Sequence, residues 1–169
     1  IALFLEMAAE VAADRVGLVC DGRRWTYGEL LAAARGASVL IRESGCAHVA
    51  LLDESSEAAV IALFGAALAG VPYCPLNYRL ADADLAGLLE RIKPAYIVGE
   101  IERSSQLCAG NMSLNRHDFT QLSVTAGAGA DIDSADGEGV AVQLFTSGTT
   151  AAPKAAILRN SNLVSYILG

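Results

Sequence analysis

Positive charge is scarce in this chain. Its 169 residues carry 12 Lys and Arg against 19 Asp and Glu, a net charge of −7, and no basic block occurs. Nucleic-acid affinity rests on Lys and Arg neutralising phosphates, so a nucleic-acid partner is excluded. Cysteine and histidine are sparse as well. Cys20, Cys46, Cys74 and Cys108 lie far apart with no C-x-x-C, and His48 and His117 are the only histidines. No metal-ligand cluster appears, and a reduced, cytoplasmic protein is the simpler account. Charged residues make up only 18% against 53% hydrophobic, which excludes disorder. Neither an internal repeat nor a Ser/His/Asp arrangement supported by order or spacing is present. What remains suits one domain, long enough to bury a core.

Local signals then divide the chain. Phe4, Met7, Ala8 and Val11 recur at i, i+3, i+4, i+7 and predict an amphipathic helix with that face on a core. Val16 to Cys20 reads as a strand, Asp21-Gly22 as a hairpin turn, and Arg24-Trp25-Thr26 as the returning strand. Thr26 and Glu29 form a capping box for a helix that buries Leu30, Ala34, Ala37 and Ile41 and ends near Ser44-Gly45. Trp25 and Tyr27 are assigned to packing. Ala47 to Leu52 is a buried strand. Ser55 or Ser56 caps a nearly all-apolar helix, Ala58 to Ala69, and Val71 to Cys74 is the next strand. Asp82 caps a further helix with Leu85, Leu88, Leu89 and Ile92 on one face, stopped by Pro94. Tyr96 to Val98 is a strand. Strands alternating with helices from Ala47 to Val98 predict an α/β fold: three layers, α/β/α, with a mainly parallel sheet and a small antiparallel hairpin near the N-terminus.

Ala58 to Tyr78 carries no charged residue and is about the length of a membrane span. Pro72 breaks it as a helix, so it predicts a core helix followed by a strand, with no transmembrane segment. Its small residues Ala62, Gly65, Ala66 and Ala69 are expected to let the helix approach a sheet closely. From Glu100 to Thr125 only short, unassigned pieces are expected. Ala126 to Asp136, Gly/Ala-rich and then acidic, predicts an exposed loop, not a cation site: the EF-hand pattern is absent.

The richest stretch is Phe145-Thr146-Ser147-Gly148-Thr149-Thr150-Ala151-Ala152-Pro153-Lys154. Val140 to Phe145 before it reads as a buried strand, and Ala155 to Leu158 after it is apolar again. Free backbone N–H groups, hydroxyls and one Lys in such a loop suit a polyphosphate. It is not a P-loop, because Pro153 precedes the Lys and no hydroxyl follows it. A Ser/Thr-rich surface loop between two strands is the bland alternative.

This stretch resembles the phosphate-binding signature of the adenylate-forming superfamily, Tyr/Phe-Thr-Ser-Gly-Thr/Ser-Thr-Gly-x-Pro-Lys-Gly, on the acyl-CoA synthetase side. Ala151 and Ala155 stand where the family usually has Gly, and Asn160 where many members have His. Trp25-Thr26-Tyr27-Gly28-Glu29-Leu30 and Ala69-Gly70-Val71-Pro72-Tyr73-Cys74-Pro75-Leu76-Asn77 resemble two further family signatures. The resemblance covers essentially the whole chain.

It implies that residues 1–169 are the first part of the large N-terminal domain of a longer enzyme, with both ends cut. It implies a ligase that activates a small-molecule carboxylate with ATP, forms an acyl-adenylate, and passes the acyl group to coenzyme A, as in fatty acid metabolism. Thr146, Ser147, Gly148, Thr149, Thr150 and Lys154 would bind the β- and γ-phosphates. The Mg²⁺ ligand and the catalytic residues would lie beyond this segment, which alone is expected to be inactive. Ala151 and Ala155 are expected to loosen the phosphate grip, since Gly tolerates positive φ and Ala does so at a cost. A peptide-synthetase adenylation domain, an acyl-AMP ligase or a non-catalytic relative remain as alternatives. The identity of the acid and the oligomeric state stay open.

Overall fold

A computed structural model describes residues 1–107, 110–130, 139–146 and 154–169. Helix α1 (Ala2–Ala12) leads into the hairpin β1 (Val16–Cys20) and β2 (Arg23–Thr26). Asp21 and Gly22 both take positive φ, 48° and 79°, at the turn. That is the backbone a two-residue hairpin demands. Helix α2 (Tyr27–Ser44) starts from the expected box: Thr26 Oγ1 accepts from Glu29 N at 3.1 Å, and Glu29 Oε2 accepts from Thr26 N at 2.8 Å. It stops at Gly45, which is left-handed.

The remaining elements run β3 (His48–Leu52), α3 (Glu57–Ala69), β4 (Tyr73–Pro75), α4 (Asp82–Arg91), β5 (Ala95–Gly99), α5 (Ile101–Leu107), β6 (Met112–Leu114), α6 (Arg116–Gly127), β7 (Val140–Thr146), β8 (Lys154–Arg159) and α7 (Asn160–Leu168). Six strands form one sheet in the order β6-β5-β3-β4-β7-β8. All neighbours are parallel except β7 and β8. The expected α/β class, mainly parallel sheet and separate hairpin are all present.

Strand alternation creates the layers. Val49, Leu51, Tyr96 and Val98 pack with α2, α3 and α6 residues such as Ile41, Ile61 and Phe119. Ala50, Leu52, Ala95 and Ile97 pack on the opposite face with Leu85, Leu88 and Leu89 of α4 and with Ile92 just after it. Right-handed crossovers account for which helix goes where. The chain steps from β3 to β4 over α3, then back past β3 to β5 over α4. Reversing direction at constant hand puts the two helices on opposite faces.

Several local expectations are corrected. The buried face of α1 is Ala2, Leu5 and Ala9, while Met7 and Val11 are exposed. α1 touches α2 by its other side, a choice that periodicity alone does not make. Ser56 is the N-cap of α3, but its hydroxyl makes no cap bond. Ala81 caps α4, and Asp82 is the first helical residue, where Arg103 Nε donates to its carboxylate at 2.8 Å. At Gly65 the small stripe of α3 meets helix α2 closely: a Cβ there would sit 2.6 Å from Ala37 Cβ, while Ala62 and Ala66 share a core with sheet residues such as Val49 and Leu51.

Among the described residues, 101–127 hold two helices and a strand, and Ala126 and Gly127 belong to α6 instead of a loop. Of the expected acidic loop, residues 131–136 lie outside the described residues. Strand β7 is only partly buried, with Ala141 inside and Leu144 36% exposed. It lies beyond the helices that cover β3 and β5. Among the described residues no helix is long and apolar enough to cross a membrane.

Candidate functional site

Strands β7 and β8 form an antiparallel hairpin whose mouth is set by local pairing. Thr146 faces Lys154 and Phe145 faces Ala155. The Thr146 hydroxyl donates to the Lys154 carbonyl at 3.3 Å. Of the expected phosphate-binding residues, these two are brought together. Ser147, Gly148, Thr149 and Thr150 lie outside the described residues, as does Ala151.

Because β4 and β7 are parallel, the mouth opens at the carboxyl ends of β3, β4 and β5. Open α/β sheets place their ligands along that edge. The β7 end is anchored from below: Phe145 packs on the α4 core, and the Arg91 guanidinium lies 5.0 Å from its ring centroid.

Ala155 sits in a regular ladder opposite Phe145, and Asp21 is the only described non-glycine residue with positive φ. The conformational reason for Ala155 to disturb the loop is therefore absent. Asn160 lies at the other end of the hairpin, where its side chain donates to the Gly139 carbonyl at 3.3 Å. The fold does not bring it to the loop.

The rest of the edge is polar and largely self-paired. After β4, Asn77 Oδ1 accepts from Arg79 N at 3.0 Å, closing an Asx turn. Tyr78 donates to Glu54 at 3.3 Å. Arg103 of α5 donates to the Tyr78 and Leu80 carbonyls and ion-pairs with Asp82 and Glu100. Arg116 pairs with Asp53 at 3.6 Å. Lys154, in contrast, makes no ion pair among the described residues. It is an exposed cation at the ligand edge, available to an anion.

Arg103, Tyr78, Asp53 and Arg116 were not singled out by sequence reasoning. Their partners lie up to 63 positions away (116 − 53), and no periodic pattern marks them. Beneath the edge, the signature around Tyr73 is structural. Tyr73 and Cys74 are buried, and burial pushes the Cys74 thiol up to about 12 and raises the Tyr73 phenol as well. Both remain neutral packing groups. The resemblance implies Mg²⁺, yet the described residues contain no group of three or more His, Cys, Asp or Glu able to hold a metal. No step is assigned to a metal here.

The open, mainly parallel sheet with helices on both faces places the chain in the α/β class. More narrowly, it belongs to the AMP-binding enzyme family, which matches residues 5–169. The chain is 31% identical over 156 residues to the steroid-22-oyl-CoA synthetase of Rhodococcus jostii, covering 84% of this chain and 28% of that protein. It is 26% identical over 188 residues to N-(5-amino-5-carboxypentanoyl)-L-cysteinyl-D-valine synthase of Penicillium rubens, covering 96% of this chain and 5% of that protein. Its fold matches that of VinN in complex with L-aspartate at a TM-score of 0.83 and 23% identity, over 94% of this chain and 43% of that one. The chain thus spans less than half the length of each of these proteins.

Proposed function

We propose that this chain is the first part of the large N-terminal domain of a cytoplasmic acid–thiol ligase of the acyl-CoA synthetase type. In the reaction, a carboxylate oxygen of the substrate attacks the α-phosphorus of ATP. The bond from that phosphorus to the bridging oxygen breaks, and pyrophosphate leaves with the bond's electron pair. The sulfur of coenzyme A then attacks the acyl carbonyl, its proton goes to solvent, and AMP leaves.

The role of this chain is the phosphate grip. Thr146, Ser147, Gly148, Thr149 and Thr150 offer hydroxyl and backbone donors to the β- and γ-phosphates, and Lys154 supplies a full charge as pyrophosphate departs. The observation that carries this reading is Lys154, without an ion pair among the described residues, beside Thr146 at the carboxyl edge of the sheet. Family membership and the likeness to a CoA synthetase support it. A second reading, a peptide-synthetase adenylation domain with a carrier-protein thiol as acceptor, is favoured by the likeness to the Penicillium synthase.

Carboxylate-dependent exchange of pyrophosphate into ATP by the full-length protein tests the adenylation step, using a panel of fatty, aromatic and amino acids. Mass spectrometry of the products with and without coenzyme A tests the acceptor. Exchange by the full-length protein and none by residues 1–169 is the expected pair of results. Absence of exchange with every acid overturns the enzymatic reading.

A further inference from the structure

The strand that leads into the phosphate stretch is thinly held. Ala141 is the one buried residue of β7. The strand reaches the two cores through a single residue each. Val142 packs against the cluster on the α2 and α3 side, and Phe145 against the cluster on the α4 side.

Phe145 adjoins both ends of the phosphate stretch. Thr146 follows it in the chain, and across the ladder it pairs with Ala155, the neighbour of Lys154. A shift of Phe145 therefore moves both ends together. Its ring packs on the core built from Leu85, Leu88 and Leu89. The Arg91 guanidinium, from the last turn of α4, lies over the ring, 5.0 Å from its centroid. The ring's quadrupole attracts such a cation, and the arginine stem covers apolar surface. A basic residue in the last turn also complements the helix dipole, but that role is indifferent to Phe145.

We propose that Arg91 is a positioning residue for the phosphate grip. By capping the Phe145 ring it fixes the end of β7, and with it Thr146 and Lys154, for the β- and γ-phosphates of ATP. This inference rests on the phosphate-binding role proposed above. Donors held in place before the ligand arrives bind it without the cost of being ordered. Arg91 itself touches no reacting atom and acts through Phe145.

The test is calorimetric titration of the full-length protein with ATP and, separately, with AMP. AMP lacks the β- and γ-phosphates and does not report on the grip. Arg91→Gln is expected to weaken ATP binding about two- to fivefold, the size of an exposed cation–π contact, and to leave AMP binding unchanged. Arg91→Lys, which keeps a cation over the ring, should restore most of the ATP affinity. In a Phe145→Leu background, Arg91→Gln should cost nothing further, because the two residues act as one unit. Arg91 is exposed, so both of its variants should melt close to the parent.

Parent-like ATP binding by Arg91→Gln overturns the inference. So does an equal loss for AMP, or an undiminished effect of Arg91→Gln beside Phe145→Leu. Lys154→Ala separates this inference from the reading beneath it. Weakened ATP binding by Lys154→Ala, with none by Arg91→Gln, overturns the positioning role alone. ATP binding that Lys154→Ala leaves intact, or that the parent lacks, overturns the phosphate grip and the positioning role together.

Discussion

The Thr146 hydroxyl donates to the Lys154 carbonyl across the mouth of the β7–β8 hairpin, 3.3 Å away and eight positions along the chain. Thr146 and Lys154 form the last pair of the antiparallel ladder and flank the candidate phosphate-binding stretch. The lysine side chain is left unpaired among the described residues at the edge where nucleotide is expected.

Loss of that charge should therefore act on ATP and not on folding. In the full-length protein, Lys154→Ala is expected to raise the KM for ATP by roughly tenfold or more, since a hydrogen bond to a charged group is worth about 1.5–3 kcal/mol. The melting temperature should stay within a degree or two of the parent's, as Lys154 is exposed. Steady-state kinetics at saturating carboxylate reads the first outcome and calorimetry the second. Ala155→Gly, at a residue in regular strand geometry, should not lower the KM.

Helix α6 lies against α2 so closely that neither glycine at the crossing admits a side chain. A Cβ on Gly36 would fall 1.8 Å from the Ser123 carbonyl oxygen, and one on Gly127 would fall 2.0 Å from that of Ala32. Backbone cannot move aside cheaply, so Gly36→Ala and Gly127→Ala should each destabilise by about 1–3 kcal/mol. Gly87, exposed in α4 with nothing within 4 Å of its added Cβ, is the control. Gly87→Ala should stabilise by roughly 0.5–1 kcal/mol. Urea denaturation followed by circular dichroism separates the three.

His48 opens β3, and burial holds its imidazole below the usual 6.5, against a smaller opposing effect from a hydrogen bond to the Ile92 backbone. The unfolded chain thus binds a proton at a higher pH than the folded one. Stability from this residue is complete above about pH 6.5 and falls as pH drops through the window between 6.5 and the lowered folded value. His48→Gln should flatten that part of the pH–stability curve. An unchanged slope between pH 7 and pH 5 would show that other groups carry it.

Cys74 is wholly buried in the sheet, and its thiol is pushed up to about 12 by burial. The thiolate is the reactive form, so Cys74 should resist alkylation by iodoacetamide at pH 8 until the protein unfolds. Cys46, partly exposed, should label in the native state. Mass spectrometry of the modified peptides, with and without urea, reads the order.

Much of the fold was legible because its signals are local. The Asp21-Gly22 turn, the Thr26–Glu29 box and the Leu85, Leu88, Leu89, Ile92 stripe each involve residues within about a helical turn of one another. The strand–helix alternation then predicted the sheet class, and the Thr146–Lys154 stretch stood out through residue type and spacing. Helix α6 stayed illegible because its buried stripe is Phe119, Thr120, Ser123 and Gly127, which is mostly not apolar. Its burial depends on glycines that let two backbones meet.

By itself, then, the sequence determined the elements from α1 to β5, their order, and the residue types of the loop. Tertiary structure alone decided that β5 lies beside β3, which face of α1 is inside, and that Ala155 sits unstrained. It also decided that Arg103 pairs with Asp82 and Glu100, and Arg116 with Asp53, around the edge. Each of these depends on residues brought together by strand order and helix packing. Contacts made across such distances leave no period or spacing in the chain from which they could be read.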